Sequence, residues 1–243
     1  MLRHTGRTLR GIHAKSHALL EGELTVLPDL PPELAQGMFA RPATHPLILH
    51  LSTNRPDILD DEIGAPRGVA LKVIGVDDPR LEGAEPAPTQ DRVMVNQPFF
   101  TEPDLRTFVR NIRFVDATTQ TGLLWKKVLA ALPRPPVALL RALGGWAATP
   151  TTMGGHPPTH PLGDPCCTQV AFRFGEHVEK LALVPASDAL RALSGQRLHL
   201  RGRPNRVREA MIAHFARYGG AWDLRVQLQT DAATMPVEDA AAQ

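Results

Sequence analysis

The sequence predicts an antiparallel α+β fold, a barrel or a sandwich, with a helical insertion between two groups of strands. Three observations predict it. Seven segments read as short strands, four in the first hundred residues and three after residue 165. Residues between them have helical spacing instead. Pro and Gly number 23 and 19, which favours many turns and short elements over long helices.

The elements follow in order. Ala18–Leu27 is apolar-rich and holds Thr25 and Val26. Leu47–Thr53 is leucine-rich, Gly68–Val76 alternates in part, and Arg92–Asn96 is short. Pro28, Pro31-Pro32, Pro42 and Pro46 punctuate the first two, and Leu30–Phe39 has helical spacing after its Pro-Pro start. Pro103–Arg113, Thr119–Leu132 and Pro136–Leu143 read as helices. In the second, Leu123, Leu124, Val128 and Leu132 share a face bordered by Lys126 and Lys127. A Pro/Gly/Thr-rich loop follows. Thr168–Phe174 and Val178–Pro185 then form a hairpin around Gly175-Glu176-His177. Pro204–Tyr218 is a helix ended by Gly219-Gly220. In Trp222–Thr230, Trp222, Leu224, Val226 and Leu228 alternate with Asp223, Arg225, Gln227 and Gln229, the pattern of a half-buried strand. The organisation expected is one domain over 1–243, with the helical insertion at about 103–148 and the loop at about 149–165.

A length of 243 residues is enough to bury a sizeable core. The net charge of +2 argues against nucleic acid or an anionic membrane surface as partner. No apolar run approaches a membrane span, and the most apolar stretch, Val137–Ala148, is broken by Arg141 and Gly144-Gly145. The two cysteines, Cys166 and Cys167, are adjacent, so no disulfide framework is indicated; a reducing, cytoplasmic setting is expected. The first twenty residues carry Arg3, Arg7, Arg10 and Lys15 with no acid before Glu21, but lack the apolar core of a secretory signal and read as folded protein.

Read locally, the polar clusters are ordinary. His13, Lys15 and His17 alternate as on a solvated strand face. Asn96 before Pro98 is a turn residue, and Ser52-Thr53 ends a strand as a cap. His156, His160, Cys166 and Cys167 have zinc-ligating chemistry, but their spacing matches no common zinc pattern. Arg203, Arg206, Arg208 and Arg217 form a solvated basic face, and Asp57, Asp60, Asp61 and Glu62 an exposed acidic loop.

Six short motifs in order change this reading. They are Arg10-x-x-His13-Ala14-Lys15, Leu51-Ser52-Thr53, Pro66-Arg67-Gly68-x-Ala70-x-Lys72, Asn96-x-Pro98-x-Phe100, Phe172-Arg173-Phe174-Gly175, and Leu224-x-Val226-Gln227 with Met235-Pro236-Val237-Glu238-Asp239. Together, and almost end to end, the chain resembles the haem catalase superfamily, in its shorter, divergent catalase-like branch. The resemblance implies an incomplete catalase-like antiparallel β-barrel, about seven of eight strands.

It also implies a haem-dependent catalase or peroxidase, with b-type haem as cofactor and hydrogen peroxide or a small organic hydroperoxide as substrate. His13 would be the distal base, Ser52 would orient it, and Asn96 would donate a hydrogen bond to bound peroxide. Arg10 would hold a haem carboxylate, with Ile12, Phe99, Phe100 and His50 lining the haem. His50 stands where the family usually has an arginine, and Ser16 replaces the usual glycine, as in peroxidase-like members. The tyrosine that binds iron in the family has no match, because the single tyrosine, Tyr218, lies upstream of the Val226 strand and follows His214 rather than an arginine by four. The alternative is a truncated or non-catalytic catalase-like barrel that binds haem weakly or takes a lipid-like ligand. A homo-oligomer is left open.

Overall fold

The computed structural model describes residues 10–56, 58–78, 87–100, 104–110, 113 and 156–239. They form one antiparallel sheet of eight strands. These are β1 (Lys15–Val26), β2 (Ala43–Thr53), β3 (Arg67–Ile74), β4 (Thr89–Val95), β5 (Cys166–Cys167), β6 (Phe172–Phe174), β7 (His177–Pro185) and β8 (Trp222–Leu228). Two helices, α1 (Asp188–Arg191) and α2 (Arg206–Phe215), lie between β7 and β8. Residues 105–110 are also helical, within the Pro103–Arg113 segment. The predicted helices Thr119–Leu132 and Pro136–Leu143 lie outside the described residues.

The sheet runs β1-β2-β3-β4-β5-β7, with β6 and β8 both paired to β7. Among the described residues β1 pairs with β2 alone, and β6 and β8 each pair with β7 alone, so the sheet is open. The expected count of seven strands is corrected to eight. Thr168–Phe174 does not form one strand. Cys166–Cys167 bridges β4 and the upper part of β7 through Val95↔Cys167 and Cys166↔Leu183, and Phe172–Phe174 then pairs the lower part of β7. The break falls at Thr168, whose N–H and side-chain oxygen are both engaged by the backbone of Leu181. The expected helix Leu30–Phe39 is also corrected. It is a turn closed on the Pro31 carbonyl, followed by a 3-10 turn at Gly37–Phe39, and Gly37 at φ 51 takes a backbone conformation that ends helical continuation.

The core covers one face of the sheet. Strand alternation turns Leu49, Leu51, Val69, Leu71, Met94, Leu181 and Leu183 to that face, where Leu190, Val207, Ala210 and Met211 of the helices pack on them. The register of β1 slips between Ser16 and Ala18. Lys15 before the slip and His17 at it are buried, and Ala18 and Leu20 after it pack on the core.

Burying Lys15 is expensive unless every donor is used. Its Nζ reaches the Asp61 carboxylate at 2.6 Å, the Leu59 carbonyl at 2.6 Å and the Pro204 carbonyl, which exhausts its three donors. The other Asp61 oxygen accepts the Val207 N–H at 2.7 Å in the first turn of α2, where Asn205 gives no side-chain cap. Asp61 is therefore not part of an exposed acidic loop; its side chain is 2% exposed, because it joins β1 to the start of α2.

His17 is buried beside this latch, with Nε2 2.7 Å from the Thr53 hydroxyl. Burial foremost, then the charges of Lys15, Arg67, Arg208 and His50, lower its pKa from 6.5 to about 3.

Two outcomes follow. Asp61→Ala leaves the Lys15 charge buried without its partner and is expected to lower stability by about 3–5 kcal/mol in a denaturant titration; a loss below about 1 kcal/mol would show that the latch does not hold the fold. For His17, the unfolded chain binds the proton at pH values where the folded chain does not, so stability is full above pH 6.5 and is lost as pH falls toward 3. The slope within that window approaches roughly 1.4 kcal/mol per pH unit. His17→Gln is expected to flatten it, and an unchanged slope in the variant would remove His17 as its source.

Candidate functional site

The alternation that sends Leu49 and Leu51 of β2 into the core places His50 and Ser52 on the opposite face. Ser52 pairs across the sheet with Gly68 of β3. His13, just before β1, folds over this pair. Its Nδ1 lies 2.8 Å from the Ser52 hydroxyl, and its ring rests on Gly68. A Cβ at position 68 would fall 2.2 Å from Cε1 and 2.6 Å from Nδ1 of His13, so the absence of a side chain there is what admits the imidazole.

Among the described residues His13 is one of two non-glycine residues with positive φ, at 55°. That conformation costs an L-residue about 1–2 kcal/mol. It is held by the next residue, whose N–H donates to the Arg55 carbonyl at 3.0 Å. Burial, then the nearby charges of Arg10 and His50, push the His13 pKa below 6.5 and favour the neutral ring. Its Nε2 has no hydrogen-bond partner among the described residues.

Arg10 is exposed at the start of the described chain, close enough to act on both His13 and His50. Ile12 is 50% exposed, an apolar side chain left in the open next to His13. His50 bonds through Nε2 to the Ser16 hydroxyl at 3.0 Å, and burial followed by Arg10 lowers its pKa, which opposes a positive charge there.

Asn96 belongs to a second cluster. Its side-chain oxygen Oδ1 accepts the Arg67 N–H at 2.8 Å while its backbone N–H donates to the Arg67 carbonyl at 3.0 Å, so side chain and backbone together hold Asn96 to Arg67 just past the end of β4. Its amide nitrogen contacts His156 Nε2 at 2.9 Å and donates to Asp164 at 3.0 Å. Both amide hydrogens are thereby engaged, and donating to a ligand requires releasing one. Asp164 also accepts from the Thr159 hydroxyl at 2.9 Å and lies 3.7 Å from the buried Arg67 guanidinium. The fold thus brings His13 to Ser52, and gathers Asn96 with Arg67, His156 and Asp164.

Phe100 packs on Phe108 at 5.2 Å between centroids, and the Phe99 carbonyl accepts from Gln169 at 3.1 Å. Tyr218 is 56% exposed beyond α2, with its ring 5.6 Å from His214. Among the described residues no group of three or more His, Cys, Asp or Glu is placed to hold a metal. His160 is held by the Leu162 N–H at 3.3 Å, and burial raises both cysteine pKa values. Gly68, Arg67, His156 and Asp164 were not assigned roles from sequence. Gly68 had a signal, the Pro66-Arg67-Gly68 motif, but its role needs the cross-strand register. The sequence singles out His156 only as one of four residues of zinc-ligating chemistry, and nothing in the loop marks Asp164 in advance.

No family model matches the sequence, and no curated protein matches it. Solved structures do. Catalase A from Saccharomyces cerevisiae superposes with a TM-score of 0.60 at 18% identity, over 96% of this chain and 48% of the yeast chain. A fungal catalase gives 0.59 at 16% identity, over 96% and 46%. A bacterial catalase gives 0.56 at 18% identity, over 96% and 45%. The chain spans about half the length of these catalases, and what it shares with them is the fold.

Proposed function

We propose that the chain acts as part of a haem-dependent enzyme that degrades hydrogen peroxide or a small organic hydroperoxide, with His13 as its distal base. The observation that most supports this is the His13–Ser52 pair: a ring held through Nδ1 at 2.8 Å, kept toward its neutral form, with Nε2 left for a ligand. A bound b-type haem would supply the iron redox couple that takes up a peroxide oxygen.

The chain's own residues would handle the proton. Nε2 of His13 accepts it from the incoming peroxide and returns it to the departing oxygen, a contribution of about 10²–10⁴ in rate. Ser52 fixes the ring orientation throughout, as a partner on the second nitrogen does. Exposed Arg10 provides a guanidinium for a haem carboxylate, and Ile12 an apolar surface for the macrocycle. His50, opposed to protonation, is a weak replacement for an arginine at the second carboxylate. The described residues fit the distal side of haem. Tyr218, the single tyrosine, is exposed and turned to His214 and does not match the position of the family's iron-binding tyrosine.

A second reading is a non-catalytic catalase-like sheet that binds haem weakly or takes a lipid-like ligand. The engagement of both Asn96 amide hydrogens by His156 and Asp164 favours it. A haem titration separates the two: a Soret band that survives desalting and shifts with cyanide supports the enzyme, and haem lost on desalting supports the second reading.

His13→Gln is expected to keep haem and lose peroxide turnover by at least about 100-fold; turnover equal to wild type would remove His13 as the base. Because the His13 pKa lies below 6.5, turnover should be level above that pH and fall only on its acid side, where the ring takes a proton. Gly68→Ala forces the imidazole off its seat and should cut turnover roughly as far as His13→Gln, with haem still bound. If the alanine variant keeps full turnover, the ring position over Gly68 does not matter to the reaction.

A further inference from the structure

We infer that the segment 156–164 makes an autoinhibitory contact on Asn96, with His156 and Asp164 occupying the two amide hydrogens that a bound peroxide would take. The inference rests on the proposed peroxide chemistry and adds a restraint to it. Asn96 itself is pinned. Its Oδ1 accepts the Arg67 N–H at 2.8 Å and its backbone N–H donates to the Arg67 carbonyl at 3.0 Å. A flipped amide would set its NH₂ against the Arg67 N–H, donor to donor. The two acceptors are fixed from outside the site. Pro161, Leu162 and Gly163 are buried in a 3-10 turn, and the Asp164 N–H closes it on the Pro161 carbonyl at 3.3 Å. The His160 N–H donates to the Gln196 carbonyl at 2.8 Å, and the Leu198 N–H to the Pro158 carbonyl at 2.7 Å. Two residues after Asp164, Cys166 enters the sheet as β5. The segment therefore holds its place without help from Asn96, and the fold imposes the contact on the amide.

The acceptors differ in how firmly they hold. The Pro157 carbonyl, 2.9 Å from His156 Nδ1, can only accept, so the neutral ring carries its proton on Nδ1. That leaves Nε2 as the acceptor, 2.9 Å from the Asn96 amide nitrogen. Asp164 holds the other hydrogen at 3.0 Å, with the Arg67 guanidinium 3.7 Å from the same carboxylate oxygen. A hydrogen bond to an ionised acceptor is roughly twice as strong as one between neutral groups. A neutral peroxide oxygen therefore does not displace Asp164. His156 is the weaker hold, and its hydrogen is the one a ligand displaces first.

The first readout needs no haem. In the haem-free full chain, NMR hydrogen exchange at the Asn96 side-chain amide should be slower by roughly tenfold or more than at the exposed, uncapping Asn205. Exchange as fast as at Asn205 overturns the contact. The second readout is peroxide turnover of the haem-loaded chain. Freeing one hydrogen should raise it by up to roughly tenfold, the worth of one hydrogen bond. His156→Ala frees a hydrogen while Asp164 still neutralises Arg67, and Asp164→Asn weakens the other hold while keeping the shape of the side chain. Matching thermal midpoints would confirm that both variants fold. At least one of them is expected to gain turnover, and adding Asn96→Ala to it should remove the gain. Wild-type turnover with no gain in either variant overturns the inhibitory role and leaves the peroxide reading standing. A gain that survives Asn96→Ala overturns it as well, because the effect would not pass through Asn96. Haem not held, or held without turnover in every form, defeats the peroxide reading and the inhibitory role with it.

Discussion

The buried pair of Lys15 and Asp61 is the constraint on which the arrangement of the rest depends. It fastens three segments distant in sequence: the first residue of β1, the loop before β3 and the first turn of α2. Two charges removed from water stay buried only if all their hydrogen-bonding capacity is met, and here Lys15 has three acceptors while Asp61 accepts on both oxygens. Geometry this demanding admits little movement. Because His13 stands two residues before Lys15, the latch also sets where the histidine can lie.

The sheet then separates two tasks by its pleat. Along β2, Leu49 and Leu51 enter the core while His50 and Ser52 meet the polar segment that precedes and begins β1. The same alternation puts Gly68 behind Ser52, and its missing side chain makes a seat for the imidazole. A left-handed backbone at His13, burial that opposes its protonation and a hydroxyl on Nδ1 all act on one ring. Strain and desolvation of this kind concentrate where a side chain has a task beyond packing.

Three catalases share the fold over nearly all of this chain, at 16 to 18% identity. In the His13–Ser52 pair the hydroxyl holds Nδ1 of the imidazole, and burial opposes its protonation. The Asn96 cluster is arranged differently, as a closed network in which Asp164 gathers Asn96, Thr159 and Arg67. The two halves of the candidate site thus differ in readiness: one presents an open nitrogen, and the other has its polar hydrogens already placed.

Much of the sheet was legible in the residues. Alternation in Trp222–Leu228 and the apolar runs of β2, β3 and β7 set strands, because a half-buried pleated surface has period two whatever it packs against. The expected helix Pro204–Tyr218 is present but shorter, Arg206–Phe215 with Ala216 as its C-cap, so it ends before Gly219-Gly220 is reached. The splitting of the Cys166–Phe174 region into two strands was not legible, since it depends on which part of β7 each piece can reach. Nor was the burial of Asp61, one acid among several in a loop, because only the approach of Lys15 and α2 takes it from water. The residues alone determined that His13, Ser52 and Asn96 are present with suitable chemistry. Tertiary structure decided that the first two meet and that Asn96 turns to His156 and Asp164, because hydrogen bonds between residues tens of positions apart are set by strand register and burial, which no local spacing encodes.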